Sequence, residues 1–257
     1  MRRRYFFFDI DGTLIPGTGY HIIPENTRSA LEQLAASGNF LAIATGRANC
    51  LAVEDMHAMG FENMVSDGGY GVTLNSRLLG IEPMDRDLCI ELARECDARD
   101  IPWGCGIEDD KVRLTRTQRF CDLANDHYQV ARVVPDLDLA REPVILRMFV
   151  VIPDGEEKSL PALQKLPWVR YDNSCYIYVE PADKARGIRR IMKEFSCTDE
   201  DIVVFGDGKN DLSMFMPEWT CIAMGNGMQE LKDRADFVTR DSDDDGIGYA
   251  LRHFGWI

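Results

Sequence analysis

Two aspartates that lie two positions apart follow the most apolar stretch of the chain. The stretch is YFFFDIDGTLI, residues 5–15, and its aspartates are Asp9 and Asp11. If residues 5–10 form a strand, side chains two apart point to the same face, so the two carboxylates come close at its end. Like charges at that distance repel, and one carboxylate takes up a proton unless a cation keeps both ionised. The stretch therefore predicts a bound cation.

A second polar group follows another apolar stretch, DIVVF. It is GDGKND, residues 206–211, which brings Asp207, Asn210 and Asp211 to the end of a predicted strand. A polar turn that caps the next helix would explain only one of these aspartates. Oxygen ligands without nitrogen or sulfur partners favour Mg²⁺, which binds through few carboxylates together with a substrate phosphate. The sequence therefore predicts Mg²⁺ and a phosphorylated substrate.

Two further segments carry groups that could hold phosphate. IATGR, residues 43–47, places Thr45 and Gly46 after a buried strand, where a hydroxyl and a backbone N–H can bind phosphate at the carboxyl edge of a sheet. Lys184, in PADKARGI, stands at the start of a predicted helix. A lysine there is usually a solvated charge, but here a cation must offset the acidic residues and the incoming phosphate.

The order of predicted elements indicates how these segments could meet. The first and last thirds of the chain alternate strands and helices, as a parallel sheet with crossover helices does. The predicted elements are a strand in 5–10, a helix in 24–38, a strand in 40–47, a helix in 48–59, a strand in 63–69, a helix in 183–195, a strand in 201–208, a helix in 210–216 and a strand in 220–225. The fold class is therefore α/β, with a doubly wound, Rossmann-like parallel sheet.

The middle of the chain follows a different pattern and predicts a compact α+β insertion. Its elements are a helix in 85–99, a hairpin around 106–115, a strand in 143–152, a helix near 156–166 and paired strands in 168–172 and 175–180. The predicted domains are a catalytic core of residues 1–81 and 182–257 and an inserted cap of residues 82–181. Five aromatic residues could line a pocket, although aromatics in a cap more often form its core: Tyr70, Trp103, Tyr128, Trp168 and Tyr176.

Composition excludes several classes of partner. The 257 residues carry a formal net charge of −14, which repels nucleic acid and anionic membranes. No stretch approaches transmembrane length, and the apolar run that ends at Asp9 is too short for an export signal. Eight cysteines without a CxxC pair favour reduced thiols in a cytoplasm, with Cys89 and Cys96 on one buried helix face. No feature predicts an oligomeric state.

The motifs together resemble those of the haloacid dehalogenase superfamily of phosphotransferases, and specifically its Cof-like hydrolase branch. They occur in the family's order: DIDGTL, TGR, DK ahead of a helix, GDGKND, AMGN, ADFVT and DDDGI. The resemblance covers both halves of the core, and the insertion corresponds in position to the family's α/β cap. It implies a phosphatase that acts on small phosphorylated metabolites such as sugar phosphates.

The resemblance implies a two-step phosphoryl transfer. Asp9 would attack phosphorus to give an aspartyl phosphate, while Asp11 would protonate the leaving oxygen and then activate water. Mg²⁺ would be held by the carboxylates of Asp9 and Asp207 and by the backbone carbonyl of Asp11. The phosphoryl oxygens would be held by Thr45, the Gly46 amide, Lys184 and Asn210.

Asp211 and Arg47 would support the catalytic residues, and two positions of this chain differ from the family pattern. Asp211 would orient Lys184 or a metal-bound water, and Arg47 would reach a second polar group of the substrate or pin the cap through a salt bridge. The family usually has glycine where this chain has Ala185, and Asn-Gly-Ala where it has Asp-Gly-Gly at residues 67–69. The alternatives are a phosphomutase of the same superfamily and a non-catalytic binding or regulatory protein. Asp11 favours hydrolysis of the phosphoenzyme. Ion-pumping members of the superfamily carry threonine at that position, and their phosphoenzyme is long-lived.

Overall fold

The computed structural model describes residues 2–17, 22–124, 129–170 and 175–257. The chain divides into two compact units. The first comprises Met1–Arg47, Ala52–Gly80 and Asp183–Ile257, and the second comprises Ala48–Leu51 and Ile81–Ala182. The sequence did not indicate that residues 48–51 would group with the second unit.

Thirteen strands and seven α-helices form within the described residues. The strands are β1 (Tyr5–Phe8), β2 (Phe40–Ala44), β3 (Met64–Ser66), β4 (Gly71–Leu74), β5 (Arg77–Ile81), β6 (Trp103–Gly106), β7 (Val112–Thr115), β8 (Val130–Val133), β9 (Arg147–Val150), β10 (Ile177–Val179), β11 (Ile202–Gly206), β12 (Thr220–Ala223) and β13 (Phe237–Val238). The helices are α1 (Glu25–Ala36), α2 (Asn49–Ala58), α3 (Arg86–Ala98), α4 (Gln118–Leu123), α5 (Lys184–Phe195), α6 (Gln229–Lys232) and α7 (Gly246–His253). None of the helices within the described ranges has the length and apolar character needed to cross a membrane.

The first unit is built on an eight-stranded sheet in the order β13-β12-β11-β1-β2-β3-β4-β5. The strands from β13 to β3 run parallel, and β4 is antiparallel to β3. Phe8, the last residue of β1, pairs with Phe205 of β11 on one side and with Ile43 of β2 on the other. The carboxyl ends of these three strands therefore lie side by side, and the motifs that follow them leave the sheet at one edge.

Strand β1 is apolar throughout because both of its faces are buried. Phe6 and Phe8 belong to a core cluster that also contains residues of α1, α2 and α7. Tyr5 and Phe7 belong to the cluster on the opposite face, which contains residues of α5. A continuous apolar run is typical of a strand covered on both faces. The prediction of a doubly wound α/β sheet is confirmed.

The expectation that Asp9 and Asp11 share one strand face is wrong. β1 ends at Phe8, and the chain then turns, with the N–H of Ile15 donating to the carbonyl of Ile10 at 2.9 Å. Strand alternation therefore does not extend to Asp11. The Asp9 side chain is 6% exposed and that of Asp11 is 65% exposed, so the two carboxylates lie in different surroundings.

The second unit contains a five-stranded sheet in the order β10-β9-β6-β7-β8, in which only β7 and β8 are parallel neighbours. The helix expected near residues 156–166 is replaced by two 3₁₀ turns, Glu157–Ser159 and Leu163–Lys165, because Pro161 cannot continue a helix from the residues before it. β8 and α4 were not predicted. The predicted strand pair in 168–172 and 175–180 is reduced to β10 and a single bridge between Val169 and Tyr178, with residues 171–172 outside the described part of the chain.

Several predicted core positions in the second unit are confirmed. Cys89 and Cys96 are both fully buried in its apolar cluster, on one face of α3. Trp103 and Tyr176 are buried, while Trp168 is 38% exposed. Tyr128 lies outside the described residues.

The helix expected in residues 210–216 of the first unit is a 3₁₀ helix, Lys209–Met214.

The turn after β3 determines where α5 begins. The carbonyl of Gly68 accepts a hydrogen bond from the N–H of Asp183 at 2.7 Å, and Asp183 caps the helix by accepting from the N–H of Arg186. Gly69 has φ +107, and a Cβ added there would lie 1.8 Å from the carbonyl oxygen of Asp183. The Gly-Gly pair therefore lets the start of α5, and with it Lys184, pack directly against this turn.

Substitution of Gly69 tests this close contact. We expect Gly69→Ala to lower the thermal unfolding midpoint more than Gly38→Ala, which is a matched control because Gly38 has φ +83 and open space around its Cβ position. In both variants the left-handed backbone conformation lowers the free energy of unfolding by roughly 1–2 kcal/mol. Only in Gly69→Ala does overpacking lower it by a further amount of roughly 1–3 kcal/mol. At about 2–4 °C per kcal/mol, calorimetry resolves the difference. Equal midpoints for the two variants would contradict the contact.

Candidate active site

A buried ion-pair network centred on Lys184 lies at the carboxyl edge of the first unit's sheet. The Lys184 ammonium donates to Oδ1 of Asp9 and to Oδ1 of Asp211, both at 2.5 Å. The lysine side chain is 1% exposed, and the two carboxylate side chains are 6% and 0% exposed. Lys184 is the first residue of α5, where the helix dipole disfavours a cation. The two carboxylates provide the compensation that a buried ammonium requires.

Asp211 holds together the loop that carries the second motif. Its Oδ2 accepts the backbone N–H groups of Asp207 and Gly208, both at 2.9 Å, while its Oδ1 accepts from Lys184. A Cβ at Gly206 would lie 2.7 Å from the Asp211 side chain, so glycine is needed where this carboxylate folds back. Asp211 thus supports both the loop and the lysine.

Asp207 lies against the loop that follows β1. Its Oδ1 accepts a hydrogen bond from the Thr13 hydroxyl at 3.0 Å. Gly12 has φ +82, and a Cβ there would lie 2.1 Å from Oδ2 of Asp207. Glycine at this position therefore gives the Asp207 carboxylate room beside the backbone that carries Asp9 and Asp11.

Three carboxylates, those of Asp9, Asp207 and Asp211, offer oxygen atoms within 4.8 Å of one another. They face one ammonium, that of Lys184, which leaves two negative charges unbalanced. Oδ2 of Asp9 and Oδ2 of Asp207 accept no hydrogen bond from the described residues. Hard oxygen donors with uncompensated charge fit Mg²⁺. Asp9 and Asp207 belong to the predicted set of metal ligands, and the carboxylate of Asp211 lies beside them. The third predicted ligand, the backbone carbonyl of Asp11, stays a prediction.

The pKa values of these groups reflect their burial and, after it, the charges of their neighbours. Burial, with a further contribution from Asp211, raises the pKa of Asp9 to about 8 despite the attraction of Lys184. Burial and Asp211 likewise raise the pKa of Asp207 to about 6. Burial lowers the pKa of Lys184, but the Asp211 and Asp9 carboxylates outweigh it, so that its pKa lies above the ordinary value. A divalent cation would favour the ionised forms of both aspartates.

The TGR segment lies beside the second motif. Thr45 is buried, and its Oγ1 accepts the backbone N–H of Arg47 at 3.1 Å. A Cβ added to Gly46 would lie 3.9 Å from Nδ2 of Asn210, so the two loops approach each other closely. Ala185, in the first turn of α5, is buried in the core cluster on that face. The structure therefore brings Thr45, Gly46 and Asn210 to one edge with Asp9 and Lys184.

Arg47 contacts two carboxylates of the first unit. Its Nη2 donates to both oxygens of Asp11, at 2.7 and 2.8 Å, and its Nε donates to Oδ2 of Asp11 at 3.2 Å. Its Nη1 donates to Oδ2 of Asp55 at 2.7 Å. The predicted acid/base is thus paired with an arginine instead of with Asp9.

The sequence did not predict several residues of this edge. Asn226 donates to the carbonyl of Gly12 at 2.8 Å and accepts the N–H of Ser242 at 2.8 Å, and Ser213 accepts the backbone N–H of Lys184 at 3.0 Å. Asn226 could have been found, because it lies in the AMGN motif. Thr13 could have been found from its place in DIDGT. Asp55 could not have been found, because it lies in no motif and the sequence of α2 does not distinguish it from an ordinary surface aspartate.

The chain belongs to the haloacid dehalogenase-like hydrolase family, whose sequence model matches residues 6–251. This confirms the resemblance that the motifs indicated, and the chain is an enzyme of this hydrolase family with phosphatase-named relatives. A candidate phosphatase of Bacillus subtilis, YkrA, is 30% identical over 100% of both chains.

Solved structures agree with the fold. A hypothetical protein from Geobacillus kaustophilus HTA426 has a TM-score of 0.82 at 29% identity, with 99% of this chain and 100% of that chain covered. The HAD subclass IIB sugar phosphatase BT4131 has a TM-score of 0.76 at 27% identity, again with 99% and 100% covered. Both comparisons extend over the core and the insertion, in accord with the predicted fold class.

The raised pKa values of Asp9 and Asp207, about 8 and about 6, predict pH-dependent binding of Mg²⁺. Below these values the metal-free site holds protons, and a cation that binds the carboxylates must displace them. We expect the affinity for Mg²⁺ to rise by up to about tenfold per pH unit between roughly pH 6 and pH 8, then to level off. Titration calorimetry measures this. In Asp9→Asn the upper part of the rise should vanish, and an affinity independent of pH in the wild type would contradict the site.

Proposed function

We propose that the protein is a Mg²⁺-dependent phosphatase that works through an aspartyl phosphate. The observation that carries the proposal is the state of Asp9: its Oδ1 is held by Lys184 at 2.5 Å, while its Oδ2 accepts no hydrogen bond from the described residues. A buried carboxylate with one fixed and one available oxygen is suited to nucleophilic attack. The nearby Asp11 supplies a second carboxyl group for proton transfer.

The first step forms a bond between Oδ2 of Asp9 and phosphorus and breaks the bond between phosphorus and the substrate oxygen. The departing oxygen takes its proton from the Asp11 carboxyl group. In the second step the Asp11 carboxylate removes a proton from water, the water oxygen bonds to phosphorus, and the bond to Asp9 breaks to release inorganic phosphate. Asp9 and the proton on Asp11 are thereby restored.

The remaining residues bind and stabilise the transferred group. The proposed phosphate ligands are Lys184, the Thr45 hydroxyl, the Gly46 amide and Asn210, with Asp211 keeping Lys184 in place. The carboxylates of Asp9 and Asp207 and the backbone carbonyl of Asp11 would hold Mg²⁺, which when bound supplies positive charge against the phosphoryl oxygens. Positioning and charge stabilisation account for most of the catalysis that phosphoryl transfer needs.

The proposed substrates are small phosphorylated metabolites, with sugar phosphates first. Support comes from BT4131, described as a sugar phosphatase, which is 27% identical to this chain. We propose that residues 82–181 act as the cap that selects the substrate, with Arg47 as a candidate for a second polar contact. We also infer a cytoplasmic location, supported by the free thiols of all eight cysteines. Nucleic acid and membranes are not proposed as partners.

Substitution of the two aspartates separates the two steps. With p-nitrophenyl phosphate, whose leaving group needs no proton, Asp11→Asn should still transfer phosphate to Asp9 but should hydrolyse the intermediate roughly 10²–10⁴-fold more slowly. We therefore expect a burst of nitrophenolate and a mass increase of one phosphoryl group on acid-quenched enzyme. Asp9→Asn should show neither, and excess chelator should abolish both in any variant.

Asp233→Asn, at an exposed position on the turn after α6, is the matched control and should behave as the wild type. Turnover of Asp9→Asn near the wild-type rate would show that water attacks phosphorus directly and would contradict the proposal. Incubation with sugar monophosphates distinguishes the mutase reaction, since an isomeric sugar phosphate without free phosphate would exclude hydrolysis as the main activity.

A further inference from the structure

The proposed acid/base, Asp11, is oriented by a bidentate arginine. Arg47 reaches both oxygens of the Asp11 carboxylate, with the shortest contact at 2.7 Å from Nη2 to Oδ1. Such a pair fixes both the plane and the direction of a carboxylate. The Asp11 side chain is otherwise 65% exposed. Its orientation therefore depends on Arg47.

Arg47 is itself held at its other end by a residue of α2. Its Nη1 donates to Oδ2 of Asp55 at 2.7 Å, and its backbone carbonyl accepts the N–H of Asp67 at 2.8 Å. The Arg47 side chain is 27% exposed and that of Asp55 is 34% exposed. Each of the three guanidinium nitrogens thus has a carboxylate partner. Without Asp55 the guanidinium would keep its contact with Asp11, but the two paired groups would be free to move together.

We propose that Asp55 is a positioning residue that acts on the acid/base through Arg47. Asp55 holds Arg47, and Arg47 holds the Asp11 carboxyl group at the place where it exchanges a proton with the leaving oxygen and with water. The inference rests on the proposed function, since Asp11 has these protons to transfer only in phosphoryl transfer. Asp55 makes no hydrogen bond or ion pair with Asp9 or Lys184, so its effect passes through Arg47 alone.

A purely structural role for Asp55 makes a different prediction. Partly exposed ion pairs contribute little to stability, and their loss affects all substrates alike. A role in orienting Asp11 affects only those substrates whose leaving group needs a proton. Proton transfer requires the heavy atoms to be about 2.6–3.2 Å apart, and a misplacement of about 1 Å can reduce a rate by roughly 10². The dependence on the leaving group therefore separates the two roles.

The experiment compares kcat/KM for two esters on the full chain with Mg²⁺. One is the sugar phosphate that the wild type hydrolyses best, whose alkoxide must be protonated, and the other is p-nitrophenyl phosphate. Because kcat/KM reports the transfer of phosphate to Asp9, we expect Asp55→Ala to lower it roughly tenfold for the sugar phosphate and less than about twofold for p-nitrophenyl phosphate. Asp55→Glu, which keeps the carboxylate, should recover part of the loss.

Glu32→Gln is the matched control, because Glu32 is an exposed acid on α1 that contacts neither Asp11 nor Arg47. It should leave both kcat/KM values unchanged. If Asp55→Ala lowers kcat/KM equally for both esters, or for neither, Asp55 does not position Asp11. The inference is then wrong, while the proposed function stands. If the wild type releases no phosphate from either ester, the proposed function and the inference are both wrong.

Discussion

The rest of the site depends on the buried ion pairs that the Lys184 ammonium forms. This ammonium contacts the Asp9 and Asp211 carboxylates at 2.5 Å each, with all three side chains almost removed from water. Without it, two buried negative charges would face each other without compensation. Even with it, the charge is not balanced, because Asp207 adds a third carboxylate to the group. The site therefore favours additional positive charge, and burial together with the neighbouring Asp211 carboxylate raises the pKa values of Asp9 and Asp207.

The sheet brings these charges together. Phe8 pairs with Phe205 and Ile43 in one register, so three motifs distant in sequence leave neighbouring strands at the same edge. Glycines then permit the close approach: Gly12 beside the Asp207 carboxylate, and Gly69 beside the carbonyl of Asp183. The Asp-Gly-Gly turn departs from the family pattern. In this chain it positions the first residue of α5, because Gly68 and Gly69 contact Asp183.

The sequence predicted those parts of the site that follow from local rules. Asp9, Thr45 and Asp207 each follow a buried parallel strand, and carboxyl ends of such strands meet at one edge, so their convergence could be expected. The partner of Asp11 could not be predicted, because the chain turns directly after β1 and the carboxylate then meets Arg47, 36 residues away. Asp55 gave no signal for the same reason: its contact exists only in the tertiary structure. The helix expected near residues 156–166 does not form, because the apolar residues there have helical spacing but Pro161 interrupts the helix.

A double-mutant cycle measures directly whether Lys184 and Asp211 are coupled through buried charge. Thermal unfolding is compared for the wild type, Lys184→Met, Asp211→Asn and the double variant, in excess chelator so that no cation compensates. Lys184→Met leaves both carboxylates unpaired and should lower the stability by about 3–5 kcal/mol. Asparagine at 211 removes one of those charges and can still accept the backbone N–H groups of Asp207 and Gly208. If the two charges are coupled, the double variant is more stable than Lys184→Met. A double variant that is less stable than Lys184→Met by the full cost of Asp211→Asn alone would contradict the coupling.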